Sequence, residues 1–192
     1  MPRVALVLPF LALVLGIAAP AEAQHIDDRR GFWIGVGAGV ASARVKCSFC
    51  SSDRKLGPSG YIQMGGTPSR HTLVGVEVSY WRVSPPDTTQ EYANATAFII
   101  IYPKLDLPFF FKGGFGLGRF AEEDGVGDVL SSTGFSLVLG TGYDFRIAGS
   151  FWGAPFVNLI LAPSQEGSRN RLGLTSDISQ NLLQLGFKVG WH

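Results

Sequence analysis

The chain contains a series of short stretches in which apolar residues alternate with small or polar ones. In GFWIGVGAGVA, residues 31–41, Ile34 and Val36 fall on one side of the alternation, and Gly35 and Gly37 fall on the other. A period of two residues predicts β-strands, whose successive side chains point to opposite faces. Eight such strands are predicted, at residues 31–41, 60–66, 72–81, 91–102, 109–120, 133–146, 151–162 and 181–192.

Long and short connections alternate between these strands. Residues 42–59 form the first long connection, whereas the turns TPSR and PKLDLP are short. An even number of strands with long loops at one end and short turns at the other is typical of outer-membrane barrels. About ten residues suffice for a tilted strand to cross a bilayer. The pattern therefore predicts an all-β fold, an eight-stranded antiparallel up-and-down transmembrane β-barrel.

The composition of the less apolar face indicates which side of the barrel meets lipid. A soluble barrel, such as a lipocalin, would place polar residues outside and apolar residues inside. Here the minor face is rich in glycine, which weakens a strand but suits the narrow lumen of a small barrel. We therefore expect lipid to meet the Val, Ile, Leu and Phe face, and the following glycines to face the lumen: Gly35, Gly37, Gly39, Gly65, Gly75, Gly114, Gly116, Gly118, Gly140, Gly142, Gly186 and Gly190.

Aromatic residues concentrate at the ends of the predicted strands. Transmembrane barrels carry a girdle of aromatic residues at each membrane surface. We expect one girdle beside the short turns, including Trp33, Tyr102, Phe109, Phe110 and Trp152, and a second near the long loops, including Tyr61, Tyr80, Trp81, Tyr92 and Phe120.

The first residues of the chain predict export. MPRVALVLPFLALVLGIAAPAEAQ has a basic start at Arg3, an apolar run over residues 4–19 and the small-x-small site AEA, which are features of a secretory signal peptide. We expect cleavage after Ala23, giving a signal peptide at residues 1–23 and one barrel domain at residues 24–192. The chain has 16 basic and 15 acidic residues, and this balance gives no indication of a nucleic-acid partner.

Four segments resemble the outer-membrane β-barrel domain family, in its small OmpA/OmpX-like class: GFWIGVGAGV, FFFKGGFGLGRF, LVLGTGYDFRI and LQLGFKVGWH. The resemblance covers residues 31–192 and implies a location in a Gram-negative-type outer membrane, surrounded by its lipid. It also implies that the last strand carries a signal for the outer-membrane assembly machinery, on Leu185, Phe187, Val189 and Trp191. His192 departs from the family pattern, in which the aromatic residue is usually the last one.

The chain has two cysteines, Cys47 and Cys50, in the first long loop. In an oxidising envelope we expect them to form a disulfide. A thioredoxin-like redox role would need a helix N-terminus, which the pattern does not show. A zinc site would need two further ligands, and the three histidines fall at the predicted periplasmic ends. Metal binding and free thiols stay open as alternatives.

Charged residues fall on the predicted lumen face at Glu77, Lys112, Asp144, Arg146 and Lys188. An isolated charge in a narrow interior is costly, so we expect Glu77, Lys112, Asp144 and Lys188 to form an internal ion-pair network. Positions along the strands predict that Lys112 pairs with Asp144, with Lys188 close by and Glu77 higher in the lumen. A conducting path and a catalytic pair are the alternatives for these residues.

These patterns favour a non-enzymatic outer-membrane barrel with a structural or surface-interaction role through its long outer loops, and they do not identify the surface ligand. They predict no cofactor, metal ligands or catalytic residues. A narrow channel for small solutes is the first alternative, and a lipid-modifying enzyme is the second. The barrel enzymes that deacylate or palmitoylate lipid A use a histidine and a serine near the outer edge of the membrane, and no histidine lies near a predicted outer loop.

Overall fold

A computed structural model describes residues 30–46, 53–86, 88–124, 129–169 and 175–192. The predicted signal peptide and both cysteines lie outside these ranges, so the cleavage site and the disulfide stay predictions. Within the described ranges, no helix is both long enough and apolar enough to cross a membrane.

The alternating stretches form nine β-strand segments within the described residues. These are β1 (Gly31–Lys46), β2 (Lys55–Ser69), β3 (Thr72–Val83), β4 (Thr88–Ile101), β5 (Phe109–Asp124), β6 (Val129–Tyr143), β7 (Phe145–Ala148), β8 (Phe151–Arg169) and β9 (Thr175–Trp191). Only Asp144 separates β6 from β7, and both segments pair with β8. They are therefore two parts of one wall strand, so the wall has eight strands, as predicted.

The wall closes because the first strand pairs with the last. β1 is antiparallel to β2 on one side and to β9 on the other, where Ile34 lies opposite Trp191 and Lys46 lies opposite Ser179. The ring continues in chain order through β6, then β8 and β9. Closure satisfies the backbone groups along the wall, which would be very costly to leave unpaired in lipid. The predicted eight-stranded antiparallel barrel is confirmed.

The outer face of the wall is apolar and exposed, as the glycine pattern predicted, whereas the inner face is buried and holds both polar and apolar side chains. Val78 and Leu117 on the outside are each 62% exposed, whereas Trp33 and Val138 on the inside are 0% exposed. We call the outward apolar residues the apolar belt. Its members include Phe32, Ile34, Val36, Val40, Ile62, Met64, Val74, Val76, Val78, Ile99, Ile101, Phe109, Phe111, Phe115, Leu117, Phe135, Leu137, Leu139, Val157, Leu183, Leu185, Phe187, Val189 and Trp191.

Several strands are longer than the sequence predicted. β8 continues to Arg169 and β9 begins at Thr175, although residues 163–180 read as a long polar loop. The expectation of a long loop was wrong here, because the polar sequence of these segments hides the alternation. We call the end with the short turns and Gly31 the lower end, and the opposite end the upper end. The parts of the strands that rise beyond the belt at the upper end are the extension: residues 41–46, 118–124, 129–134, 162–169 and 175–182.

The polarity of the wall reverses between the belt and the extension. Within the belt the outside is apolar, while lumen residues such as Gln63 and Gln184 are polar and buried. Most of the buried residues inside the upper end are apolar, with Gln90 and Ser132 among the exceptions, and we call the apolar cluster the upper core: Ala41, Ala43, Val45, Trp81, Tyr92, Phe120, Leu130, Val138, Ile160, Ile178 and Leu182. An apolar interior beneath a polar exterior is the arrangement of a water-soluble sheet. The extension therefore has the character of a part that stands in water.

Candidate functional site

A buried ion pair spans the inner face of β4, between its two neighbours in the wall. Lys112 Nζ on β5 lies 2.5 Å from Glu77 Oε2 on β3, and both side chains are buried. The ammonium group also lies over the rings of Phe98 and Tyr61, at 4.6 and 5.2 Å from their centroids. Attraction to the opposite charge and to the aromatic faces offsets part of the cost of burying the lysine. These contacts explain how two full charges are accommodated inside the barrel.

A second buried ion pair lies nearer the lower end. Lys188 Nζ on β9 is 3.3 Å from Asp144 Oδ1, and it lies 4.0 and 4.3 Å from the centroids of the Phe110 and Trp152 rings. The Tyr102 hydroxyl donates a hydrogen bond to Asp144 Oδ2. Sequence reasoning missed this partner by placing Tyr102 in the interfacial girdle. Tyr102 lies two residues after Ile100, which points inward, and this spacing could have placed Tyr102 in the lumen.

The four predicted network residues all lie in the lumen, but their pairing differs from the expectation. Lys112 contacts Glu77 and not Asp144, and Asp144 contacts Lys188. The predicted Lys112–Asp144 pair was wrong, because heights were inferred from positions along untilted strands. In a barrel the strands tilt and their register is staggered, and a lysine side chain is long enough to reach across the lumen.

Arg146 does not face the lumen, so this part of the prediction was also wrong. The side chain is exposed, and its Nε donates a hydrogen bond to Gly149 O at 2.7 Å. The wall strand is interrupted at Asp144, and the β7 segment that follows is exposed at all four positions. The prediction extended the alternation of β6 past Asp144 to Arg146. Beyond Asp144, however, the alternation no longer tells inward residues from outward ones.

Neutral polar side chains fill much of the remaining lumen within the belt. Asn94 Nδ2 donates to Thr96 Oγ1 at 2.6 Å, and Asn94 Oδ1 accepts from Ser136 Oγ at 2.6 Å. Asn158 Nδ2 donates to Gln184 Oε1 at 3.0 Å. Buried polar groups are tolerated when they are hydrogen-bonded, so these pairs hold a packed polar layer around the two ion pairs.

The lumen glycines make room for aromatic rings and do not open a pore. Three of them lie directly opposite a ring of the neighbouring strand, in the pairs Gly37–Tyr61, Gly142–Phe110 and Gly190–Trp152. A Cβ atom added at any of these three glycines would overlap the facing ring. In each pair, the missing side chain of the glycine leaves the space that the large ring on the neighbouring strand occupies.

Aromatic residues also close the lower end of the lumen. A cluster of buried residues lies there, which we call the lower cluster: Trp33, Leu73, Phe98, Ile100, Tyr102, Phe110, Trp152 and Ala154. The girdle prediction was therefore wrong for Trp33, Tyr102, Phe110 and Trp152, and equally for Tyr61, Trp81, Tyr92 and Phe120, which are also buried. It holds for residues such as Phe109 and Tyr80, which are exposed on the outer face.

Side chains thus fill the lumen at three levels: the lower cluster, the polar layer with its ion pairs, and the upper core. Among the described residues, no group of three or more His, Cys, Asp or Glu side chains could hold a metal ion. The side chains that are accessible to a ligand or partner therefore lie on the outside of the barrel, at its two ends and on the extension.

Comparisons with solved structures agree with this architecture. Neisserial surface protein A matches with a TM-score of 0.53 and 16% identity, over 83% of this chain and 96% of that one. Ail, the attachment invasion locus protein of Yersinia pestis, has the same score and identity over 85% and 99% of the two chains. The outer membrane protein OprG from Pseudomonas aeruginosa has a TM-score of 0.52 at 12% identity, over 85% and 98%. No protein-family model and no curated protein sequence matches the chain.

The chain has the fold of the small eight-stranded outer-membrane β-barrels. In this outer-membrane-type barrel, the last strand closes the wall against β1. The residues expected to carry the assembly signal, Leu185, Phe187, Val189 and Trp191, all lie on the outer face of β9. They belong to the apolar belt and are accessible from the lipid side, and their role in assembly stays a prediction.

The described histidines of the barrel lie at its lower end. His71 is in the turn between β2 and β3, with its Nδ1 2.9 Å from Tyr102 O. His192 lies beside the lower cluster, 6.5 Å from the Trp33 ring and 5.9 Å from the Trp152 ring. Neither is placed where a lipid-modifying barrel enzyme would need its histidine.

Proposed function

We propose that the protein is a non-conducting outer-membrane barrel that acts at the cell surface, where the extension and its connections contact a partner outside the cell. The filled lumen is the observation that carries this proposal. A conducting pore needs a continuous polar path, and the lower cluster and the upper core interrupt it with packed apolar side chains. An eight-stranded barrel is also just wide enough for its interior to be filled by side chains.

The extension supports a role outside the membrane. It raises a hydrogen-bonded wall of five neighbouring strands, β1, β5, β6, β8 and β9, beyond the apolar belt, and the upper core that packs inside it makes it rigid. A rigid scaffold reduces the ordering cost of binding. Two of the proteins with this fold are named for the cell surface or for attachment, which is consistent with a contact role here.

The two alternatives receive less support. A narrow channel would require the lower cluster and the upper core to separate. A lipid-modifying enzyme would require a histidine at the upper end, and the described histidines lie at the lower end. We therefore propose neither function.

Single-channel recording in planar bilayers tests the non-conducting part of the proposal. The folded protein is expected to give no discrete current steps. Reproducible steps that scale with salt concentration would overturn it and favour the channel. Folding is checked in parallel by the shift in gel mobility on heating that folded barrels show.

Two further measurements test the surface part. In a background with both cysteines replaced by serine, Glu123→Cys at the upper end should react with a membrane-impermeant maleimide in intact cells, and Lys104→Cys at the lower end should not. Fluorescent vesicles carrying the protein should then be retained on a layer of host cells more than empty vesicles. Labelling of the lower residue alone, or equal retention of both vesicles, would contradict the proposal.

A further inference from the structure

Four arginines stand just above the apolar belt at the upper end: Arg44, Arg54, Arg82 and Arg119. We call them the arginine collar. On β5 the last residue of the belt is Leu117, and Arg119 is the next outward residue and is exposed. The wall therefore changes from apolar to cationic within two residues of the strand.

One half of the collar lies on β3 to β5. Tyr80, Ala93 and Arg119 are successive cross-strand partners, and Arg82 lies opposite Glu91 on the next rung up. Arg82 Nε is 3.7 Å from Glu91 Oε1, and their side chains are 54% and 38% exposed. An exposed ion pair of this length is weak, so Arg82 can exchange it for a stronger anion. Ala93 leaves space between the long side chains on either side of it.

The other half of the collar lies over β9, β1 and β2. Arg44 is opposite Asn181, one rung above the contact of Ser42 with Leu183. Arg54 is exposed and donates to Ser42 O at 3.4 Å and to Asn181 Oδ1 at 3.3 Å. These bonds orient the guanidinium group across β1. A guanidinium group has five donors, so further donors remain for a ligand.

The height of the collar matches the headgroup layer of a membrane. Two residues along a strand span about 7 Å, which a tilt of about 45° reduces to about 5 Å along the membrane normal. The interfacial layer outside the hydrocarbon core is about 5–7 Å thick on each side. An arginine two residues beyond the last lipid-facing residue thus presents its guanidinium group among the headgroups.

Acidic residues on the outer face stand mainly farther from the belt. Glu123 is the second outward residue beyond Arg119 on β5, and Asp177 is the second outward residue beyond Asn181 on β9. Two described carboxylates, Glu91 opposite Arg82 and Asp53 next to Arg54 in the chain, accompany the four arginines of the collar. The level of the lipid headgroups therefore carries net positive charge, which fits an anionic headgroup.

We propose that the arginine collar binds phosphate groups of the outer-leaflet lipid, specifically a phosphorylated glycolipid whose acyl chains lie against the apolar belt. Arginine suits this role because its planar fork binds phosphate through two parallel hydrogen bonds. The proposal depends on the outer-membrane location within the proposed function. It does not depend on the absence of conductance or on a surface partner.

Native mass spectrometry in detergent micelles tests the collar directly. The probes are lipid A with two phosphates, the same lipid with its phosphates removed, and inorganic phosphate. The test variant replaces all four collar arginines by glutamine: Arg44→Gln, Arg54→Gln, Arg82→Gln and Arg119→Gln. The matched control removes four positive charges from the lower end: Arg30→Gln, Arg70→Gln, Lys104→Gln and Arg146→Gln.

The wild-type protein should bind the phosphorylated lipid about tenfold more tightly than the dephosphorylated one, since four cations near the headgroups act together. The collar variant should lose this preference and the lower-end control should retain it. The shift in gel mobility on heating checks that both variants are folded. An unchanged preference in the collar variant would overturn the proposal. An equal loss in the control, or displacement of the lipid by millimolar inorganic phosphate, would overturn it as well.

Discussion

Lys112 and Glu77 form an ion pair across the lumen although their strands, β5 and β3, are not neighbours in the wall. The contact passes over β4, where Thr96 is the cross-strand partner of Glu77. The pair therefore links two separate parts of the wall through the interior. Its energetic contribution depends on both charges being present, because either charge alone would be buried without compensation.

Glu77→Gln should destabilise the barrel by about 3–5 kcal/mol, because it leaves the buried Lys112 ammonium without its counter-ion. Adding Lys112→Met to this variant should recover part of that loss, since a buried apolar chain then replaces an uncompensated charge. Urea unfolding in lipid vesicles measures both changes.

The combination of Asp144→Ala with Lys112→Met serves as the control for this cycle. The structure assigns these residues to different pairs, so their effects should add and show no recovery. Recovery in this combination, and none in the first, would mean that the pairing expected from the sequence is the correct one.

The alternation of residues predicted the closed barrel, and the glycine-rich composition of the minor face predicted which side of the wall faces lipid. This reading placed Val76 outside and Gly75 inside, because a period of two puts neighbouring residues of a strand on opposite faces. It could not predict the partner of Lys112, which depends on the tilt and stagger of the strands. It also missed the extension, because Ile178 and the polar residues around it do not form an apolar outer stripe.

Val76→Arg should lower the stability of the folded barrel by about 2–4 kcal/mol, because it places a charge on the lipid-facing side of the wall near the middle of the belt. Glu123→Arg introduces the same side chain on the outer face of the extension and should change stability little. Unfolding in vesicles of fixed composition measures both. Similar losses for the two variants would show that the extension is also embedded in lipid.

Cys47 and Cys50 are expected to be disulfide-bonded in protein isolated from the cell envelope. Replacement of both by serine should cost little stability, because the ring they would close is short and constrains few conformations of the unfolded chain. Mass spectrometry after alkylation without reduction measures the bond. Full alkylation of both thiols would contradict the prediction.

Trp191→Ala should reduce the amount of barrel assembled in cells more than it reduces stability in vesicles. Phe151 is the matched control, since it lies directly opposite Trp191 on β8 and has a similar exposure of 52% against 44%. Phe151→Ala removes comparable lipid contact but leaves the last strand intact. Equal assembly yields for the two variants, measured as heat-modifiable protein in the membrane fraction, would argue against an assembly signal on β9.

Gly190→Val should destabilise the barrel by about 1–3 kcal/mol, because the new side chain would overlap the Trp152 ring in the filled lumen. Gly113→Val is the matched control on the outer face, where an added Cβ meets nothing within 4 Å. It should be neutral or stabilising, since valine favours a strand and faces lipid. Trp152→Leu should relieve the first substitution by freeing the space that valine needs. A barrel that tolerates Gly190→Val as well as Gly113→Val, by urea midpoint in vesicles, would have an open lumen in place of the packed one.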